Sequence, residues 1–202
     1  MVYIFIMTRK YPIGLQSFQE IREGGFVYVD KTRLIHTLIE SGNYYFLSRP
    51  RRFGKSLLLD TTAELFSGNE ELFKGLWIHD KWDWNNKNPV IRISFSNIGI
   101  DTIGLEAALE GALQENAQRL QVNLTSTSYD QRFKELIAKA SSQNKVAILI
   151  DEYDKPIIDY LDDIPRAEEN RVILKNLFSI HSPLNTYRSK QVLYSEHFFR
   201  PQ

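Results

Sequence analysis

An α/β fold with a mainly parallel sheet flanked by helices is what this 202-residue sequence predicts. Three observations predict it. Three apolar runs with strand character, residues 44–47, 90–96 and 146–150, are separated by stretches of helical periodicity. A Gly-Lys-Ser follows the first run and opens a helix, and an Asp-Glu pair closes the third. Strands that alternate with helices are joined by crossovers, which make neighbouring strands parallel.

In order along the chain, Tyr11-Pro12-Ile13-Gly14 reads as a turn, and residues 15–22 as a short amphipathic segment closed by Gly24-Gly25. Residues 26–29 read as a brief β run. Asp30 is placed to cap a helix over about 31–40 that buries Leu34, Ile35, Leu38 and Ile39. Ser41-Gly42-Asn43 ends it. The aromatic run 44–47 is expected as a buried strand. A helix over 55–66 stops near Ser67-Gly68. Helices are expected over 105–120 and over 130–142, the second with Phe133, Leu136, Ile137 and Ala140 on one face. Pro165 sits at the start of another, running to about residue 180.

Composition narrows the function classes. Hydrophobic residues are 43% and charged residues 25%, which suits a globular domain and not a disordered one. Lys+Arg and Asp+Glu are both 25, so there is no general positive field to hold nucleic acid. The absence of Cys removes disulfides, thiolate metal sites and a Cys nucleophile together. His36, His79, His181 and His197 have no metal-binding spacing. The apolar start, residues 1–7, is too short for a bilayer and lacks signal-peptide flanks. A soluble cytoplasmic protein without membrane contact is the expectation.

The segment Ser48-Arg49-Pro50-Arg51-Arg52-Phe53-Gly54-Lys55-Ser56 carries the most chemistry. A Gly-rich loop between strand and helix cradles phosphate: backbone N–H groups face the oxygens, Lys reaches the β and γ phosphates, and a hydroxyl completes a magnesium shell. Gly54, Lys55 and Ser56 supply the second glycine, the lysine and the hydroxyl. The first glycine of the pattern falls on Arg49, and Pro50, with φ fixed, is placed to set the exit from the strand instead. One or more of Arg49, Arg51 and Arg52 is expected on phosphate. The residues expected at the nucleotide are Arg51, Arg52, Phe53, Gly54, Lys55, Ser56 and Leu57.

Five apolar residues followed by Asp151-Glu152 make the second motif. A carboxylate at the end of a parallel strand stands where ligands of open α/β sheets bind. Asp151 is assigned with Ser56 to magnesium. Glu152 is assigned, with Lys55, to catalysis, as the general base that polarises the attacking water.

These residues resemble the AAA-ATPase-like domain family of bacterial and archaeal proteins, many of which carry a second, C-terminal domain of the PD-(D/E)XK nuclease type. The likeness runs from Tyr11-Pro12-Ile13-Gly14 and Phe18 through Tyr28-Val29-Asp30-Lys31-Thr32 and the Arg49–Ser56 string to Ile150-Asp151-Glu152-Tyr153-Asp154-Lys155-Pro156. The family also lacks the first glycine of the loop. The resemblance implies a P-loop NTPase of the additional-strand class that binds ATP with Mg2+. It implies nucleic acid as a partner only through a nuclease-like domain absent here, and allows an oligomer. It also raises the segment 11–18 as a neighbour of the adenine, against a packed N-terminal turn as the plainer reading. Asp30-Lys31-Thr32 is given no catalytic role.

The organisation expected is an extension at 1–10, an ATPase-like domain at 11–180 and a divergent tail at 181–202. The class places one more strand between the phosphate-loop strand and the acidic-pair strand. The tail is expected not to form it: the run Val192-Leu193-Tyr194 is short, and Pro183, Asn185 and Ser189 punctuate the segment. The sheet is therefore expected to be incomplete at its C-terminal end. Two functions follow: magnesium-dependent ATP hydrolysis, or nucleotide binding without catalysis by part of a larger ATPase–nuclease protein.

Overall fold

Each of the three apolar runs forms a strand, and the tail adds a fourth. The computed structural model describes residues 10–50, 52–96, 98–142, 144–179 and 189–197, with the backbone alone at 49 and 189–197. The expected extension at 1–10 lies outside the described residues apart from Lys10. So does the tail at 181–188 and 198–202.

The chain opens with α1 (Phe18–Glu23) and α2 (Thr32–Ser41) before β1 (Tyr44–Arg49). Next come α3 (Lys55–Ser67), two 3-10 turns (Glu70–Phe73 and His79–Lys81) and β2 (Val90–Ser94). The chain continues through α4 (Ile100–Ile103), α5 (Leu105–Arg119), α6 (Tyr129–Ala140) and β3 (Val146–Asp151). Then follow α7 (Lys155–Ile158), α8 (Ile164–Phe178) and β4 (Ser189–His197). Residues 26–29 form no strand. Val27 N–H reaches Lys10 O and Phe26 N–H reaches Ile21 O, isolated bonds that make no ladder among the described residues.

The sheet is parallel throughout, in the order β1-β4-β3-β2. This overturns the expectation for the tail. Tyr44 to Arg49 stand opposite Val192 to His197 on one side of β4. Ile148, Leu149 and Ile150 stand opposite Val192, Leu193 and Tyr194 on the other. The central position is filled by the segment expected to leave it empty. The physical reason is that a central strand is held by two ladders at once, so a short apolar run suffices where an edge strand would need more. Pro183 and Asn185 precede the strand and lie outside the described residues. Ser189, taken as a breaker, is the first residue of β4. On its other edge, β1 has no partner among the described residues.

Helices cover both faces. Ile91 and Ile93 of β2 and Val146, Ile148 and Ile150 of β3 pack against α5, α6 and α8. Val90, Ala147 and Leu149 face the other way, onto Leu59, Ala63 and Phe66 of α3. A second cluster on the α3 side joins Phe18, Ile35, Leu58, Leu65, Phe73 and Ile78. Burial on both faces explains why β3 is an unbroken apolar run. In α2, Ile35 is buried, but Leu34, expected in the core, is 48% exposed. The core contact of this short helix is narrower than its run of apolar residues.

A proline at Leu193 would remove a ladder N–H from a strand paired on both sides. Leu193→Pro is expected to cost about 3 kcal/mol or more, read as a fall in the urea midpoint. An unchanged midpoint would show that β4 does not hold the sheet together.

Candidate functional site

The loop between β1 and α3 turns on Gly54, the N-cap of α3, at φ 73 and ψ 29. This left-handed conformation suits glycine. Arg52 adopts it too, at φ 67, where a non-glycine residue is uncommon. Two left-handed residues in three bring the chain sharply from strand to helix. Lys55, the first residue of α3, is 5% exposed, and its Nζ donates to Pro50 O at 3.2 Å. A buried lysine folded back on its own loop is a cation held close to where the first N–H groups of the helix emerge.

The residues expected at the nucleotide fall into distinct positions. Gly54, Lys55 and Ser56 sit at the loop–helix junction. Arg52 is exposed, and Phe53 is 59% exposed. The Leu57 side chain packs against the Phe18–Phe73 cluster, which leaves only its backbone to face the loop. Arg51 lies outside the described residues.

Strand parity decides where the acidic pair goes. Successive side chains alternate, so Asp151 shares the face of Ala147 and Leu149, the face covered by α3. It lines one cavity of about 290 Å³ with Gln16, Ser17, Ser56, Leu59, Asp60, Arg92, Ile93, Ser94 and Leu149. The two residues assigned to a metal, from motifs far apart in the chain, thus border the same space. Among the described residues no three of His, Cys, Asp and Glu gather as a metal cage. Glu152 leaves the strand at φ 52, and its Oε2 accepts a hydrogen bond from the Ser96 hydroxyl just beyond β2.

Several residues here were not singled out by motif. Asp60, four residues after Ser56 on α3, accepts Phe18 N–H at 2.6 Å and pairs with Arg92. One carboxylate therefore ties α1 and β2 to the helix that carries the loop. The signal was in the sequence: Arg92 and Ser94 are the polar members of an alternating strand. Ser96 gave no signal, because its contact depends on the turn at Glu152.

The N-terminal segment divides. Phe18 is fully buried, with Tyr28 and Phe73 at ring-centroid distances of 5.0 Å and 4.8 Å. It belongs to the core. Tyr11 and Ile13 are exposed. Tyr153 packs edge-on against Phe46 and Phe178, which fixes the turn after β3 to β1 and α8.

Asp30, the expected cap of α2, stands just before it: the helix begins one residue later and Lys31 holds the N-cap position, while Asp30 bonds the first helical N–H. Its Oδ1 accepts Thr32 N–H at 2.8 Å and the Thr32 hydroxyl at 2.6 Å, and its Oδ2 accepts Trp77 N–H at 2.7 Å. Burial opposes ionisation of this carboxyl. The hydrogen bonds from the Thr32 side chain, Trp77 N–H and Thr32 N–H outweigh it and hold the pKa below its ordinary 3.8.

The family model described as "Predicted AAA-ATPase" matches residues 12–194, a span that takes in the Gly-Lys-Ser loop, the acidic pair and most of β4. The chain belongs to this AAA-ATPase-like family. It is 52% identical over 176 residues to an "Uncharacterized protein in vnfD 5'region" of Azotobacter chroococcum mcd 1. The match covers 85% of this chain and 34% of that relative, so the chain spans about a third of the relative's length. No solved structure matches. No helix among the described residues is long and apolar enough to cross a membrane.

A carboxylate whose pKa is lowered by folding contributes stability that is present above its ordinary pKa and is lost as pH falls through the folded value. Asp30→Ala, which removes the acceptor of three hydrogen bonds, is therefore expected to cost about 1–3 kcal/mol at neutral pH. The gap from the wild type should narrow as pH drops below 3.8, in urea titrations at a series of pH values. A gap independent of pH would mean that the carboxylate charge contributes nothing.

Proposed function

We propose that this chain binds ATP with Mg2+ at the β1–α3 loop and hydrolyses it. The observation that carries the reading is that Ser56 and Asp151 line one cavity, Ser56 following directly on the buried Lys55 that opens α3. A hydroxyl and a single carboxylate suit magnesium, which takes few protein ligands and draws the rest from water and phosphate. When bound, Mg2+ would neutralise charge on the phosphates.

The roles follow from the chemistry. Loop N–H groups and the α3 N-terminus hold the phosphate oxygens. Lys55 exchanges its bond to Pro50 O for the β and γ oxygens. Glu152 takes a proton from water as the water oxygen attacks the γ phosphorus and the bond to the β-phosphate oxygen breaks, leaving ADP and phosphate. For that, Glu152 must give up the Ser96 hydroxyl or share it with the water. The same contact favours a second reading, binding without turnover, in which Ser96 keeps the carboxylate occupied.

Two variants of the full chain test the reading, by ATP affinity in magnesium and by phosphate release. Lys55→Ala is expected to weaken binding at least tenfold, about 1.4 kcal/mol. An effect under twofold would refute the cradle. Glu152→Gln is expected to keep binding and lose ~10²–10⁴-fold in turnover. Binding by the wild type without turnover, unchanged by Glu152→Gln, would select the second reading.

A further inference from the structure

Lys31 is a cation that the fold does not explain. It is the N-cap of α2 and makes no side-chain capping bond. Asp, Asn, Ser or Thr is favoured there, and a positive charge meets the positive end of the helix. The adjacent Asp30 is no partner: its carboxylate is turned to Thr32 and Trp77 and makes no ion pair with Lys31. Among the described residues Lys31 makes no ion pair. Its side chain is exposed, so core packing does not account for it, and among the described residues no salt bridge does.

Its position does. A Cβ placed on Gly54 would stand 3.6 Å from Lys31 Nζ. The ammonium thus lies over the bare face of the glycine that starts α3. The backbone beneath it is well held. Lys31 O accepts Leu34 N–H at 2.9 Å and Ile35 N–H at 3.2 Å, Thr32 is fully buried, and Asp30 is clamped to Trp77. An anion accepting a loop N–H at about 3 Å would come within reach of this amine.

We infer that Lys31 is a second lysine of the triphosphate site and contacts the terminal phosphates of the nucleotide across Gly54. This rests on the triphosphate reading of the loop. Lys31 then lies over Gly54 while Lys55, the next residue, folds back onto Pro50 O, so two lysines from different elements stand at the loop. The cation that is unfavourable at the α2 N-terminus in the free protein gains its partner when the nucleotide binds. The class of ligand selected is a nucleoside triphosphate over a monophosphate, since the charge stands at the loop–helix junction where the β and γ phosphates lie. Within the motif Tyr28-Val29-Asp30-Lys31-Thr32, Asp30 and Thr32 then fix the turn that aims Lys31.

The test compares the wild type with Lys31→Ala, Lys31→Met, which keeps the aliphatic stem, and Lys31→Arg. ATP, ADP and AMP affinities are measured in magnesium, and urea stability without nucleotide. Lys31→Ala and Lys31→Met are expected to lose about tenfold in ATP affinity and to lose more for ATP than for AMP. Lys31→Arg should recover most of it. Stability without nucleotide should be unchanged or slightly raised, because an unfavourable helix-end charge is gone. ATP affinity within twofold of the wild type in both neutral variants overturns the inference. So does a fall in nucleotide-free stability that accounts for the lost binding, which would make Lys31 structural. Failure of the triphosphate reading is recognised separately: the wild type would not bind ATP, or Lys55→Ala would bind as the wild type does.

Discussion

The alternation of side chains along β3 is the constraint on which the site depends. This strand is buried on both faces, so it cannot rotate or slip by one residue without driving Asp151 to the opposite side of the sheet. Ala147 and Leu149 pack onto α3, and Asp151 follows on the same face. Because α3 also begins with Lys55 and Ser56, the helix that packs the strand is the helix that carries the candidate phosphate-binding residues. Core packing and site assembly are the same arrangement viewed at two ends of one strand.

β4 makes that arrangement firm. Inserted between β1 and β3, it sets the spacing between the strand that feeds the loop and the strand that ends in the acidic pair. Its last residues, Ser195, Glu196 and His197, stand in register with Leu47, Ser48 and Arg49, where β1 leaves the sheet for the loop. Asp60 adds a tie from the other side by holding Phe18 N–H and Arg92. The loop is thus supported by the sheet below it and by α1 through the helix that follows it.

Three of the left-handed residues, Arg52, Gly54 and Glu152, stand where a strand gives way to the candidate site. Gly54 and Arg52 shape the loop, and Glu152 leaves β3 in the same conformation. For a non-glycine residue that geometry is unfavourable by of order 1–3 kcal/mol and persists only where the surroundings hold it. At Glu152 the surroundings include the Ser96 hydroxyl and the aromatic packing of Tyr153 on Phe46 and Phe178.

Much of this was legible in the residues. The three apolar strands, the Gly-Lys-Ser at a helix start and the Asp-Glu at a strand end are local patterns, set by side-chain periodicity and by the backbone freedom of one glycine. The nearest neighbours in the chain decide them, so the sequence alone determined the α/β class, the helix boundaries near the loop and the motif residues. What needed the tertiary structure was every long-range choice. Val192-Leu193-Tyr194 is too short to read as a strand by itself, and it becomes one because β1 and β3 offer it two ladders. Ser96 meets Glu152, Asp60 meets Arg92, and Lys31 comes to lie over Gly54 through packing between elements many residues apart. No local periodicity records those distances, because they are set by how helices stack on a completed sheet.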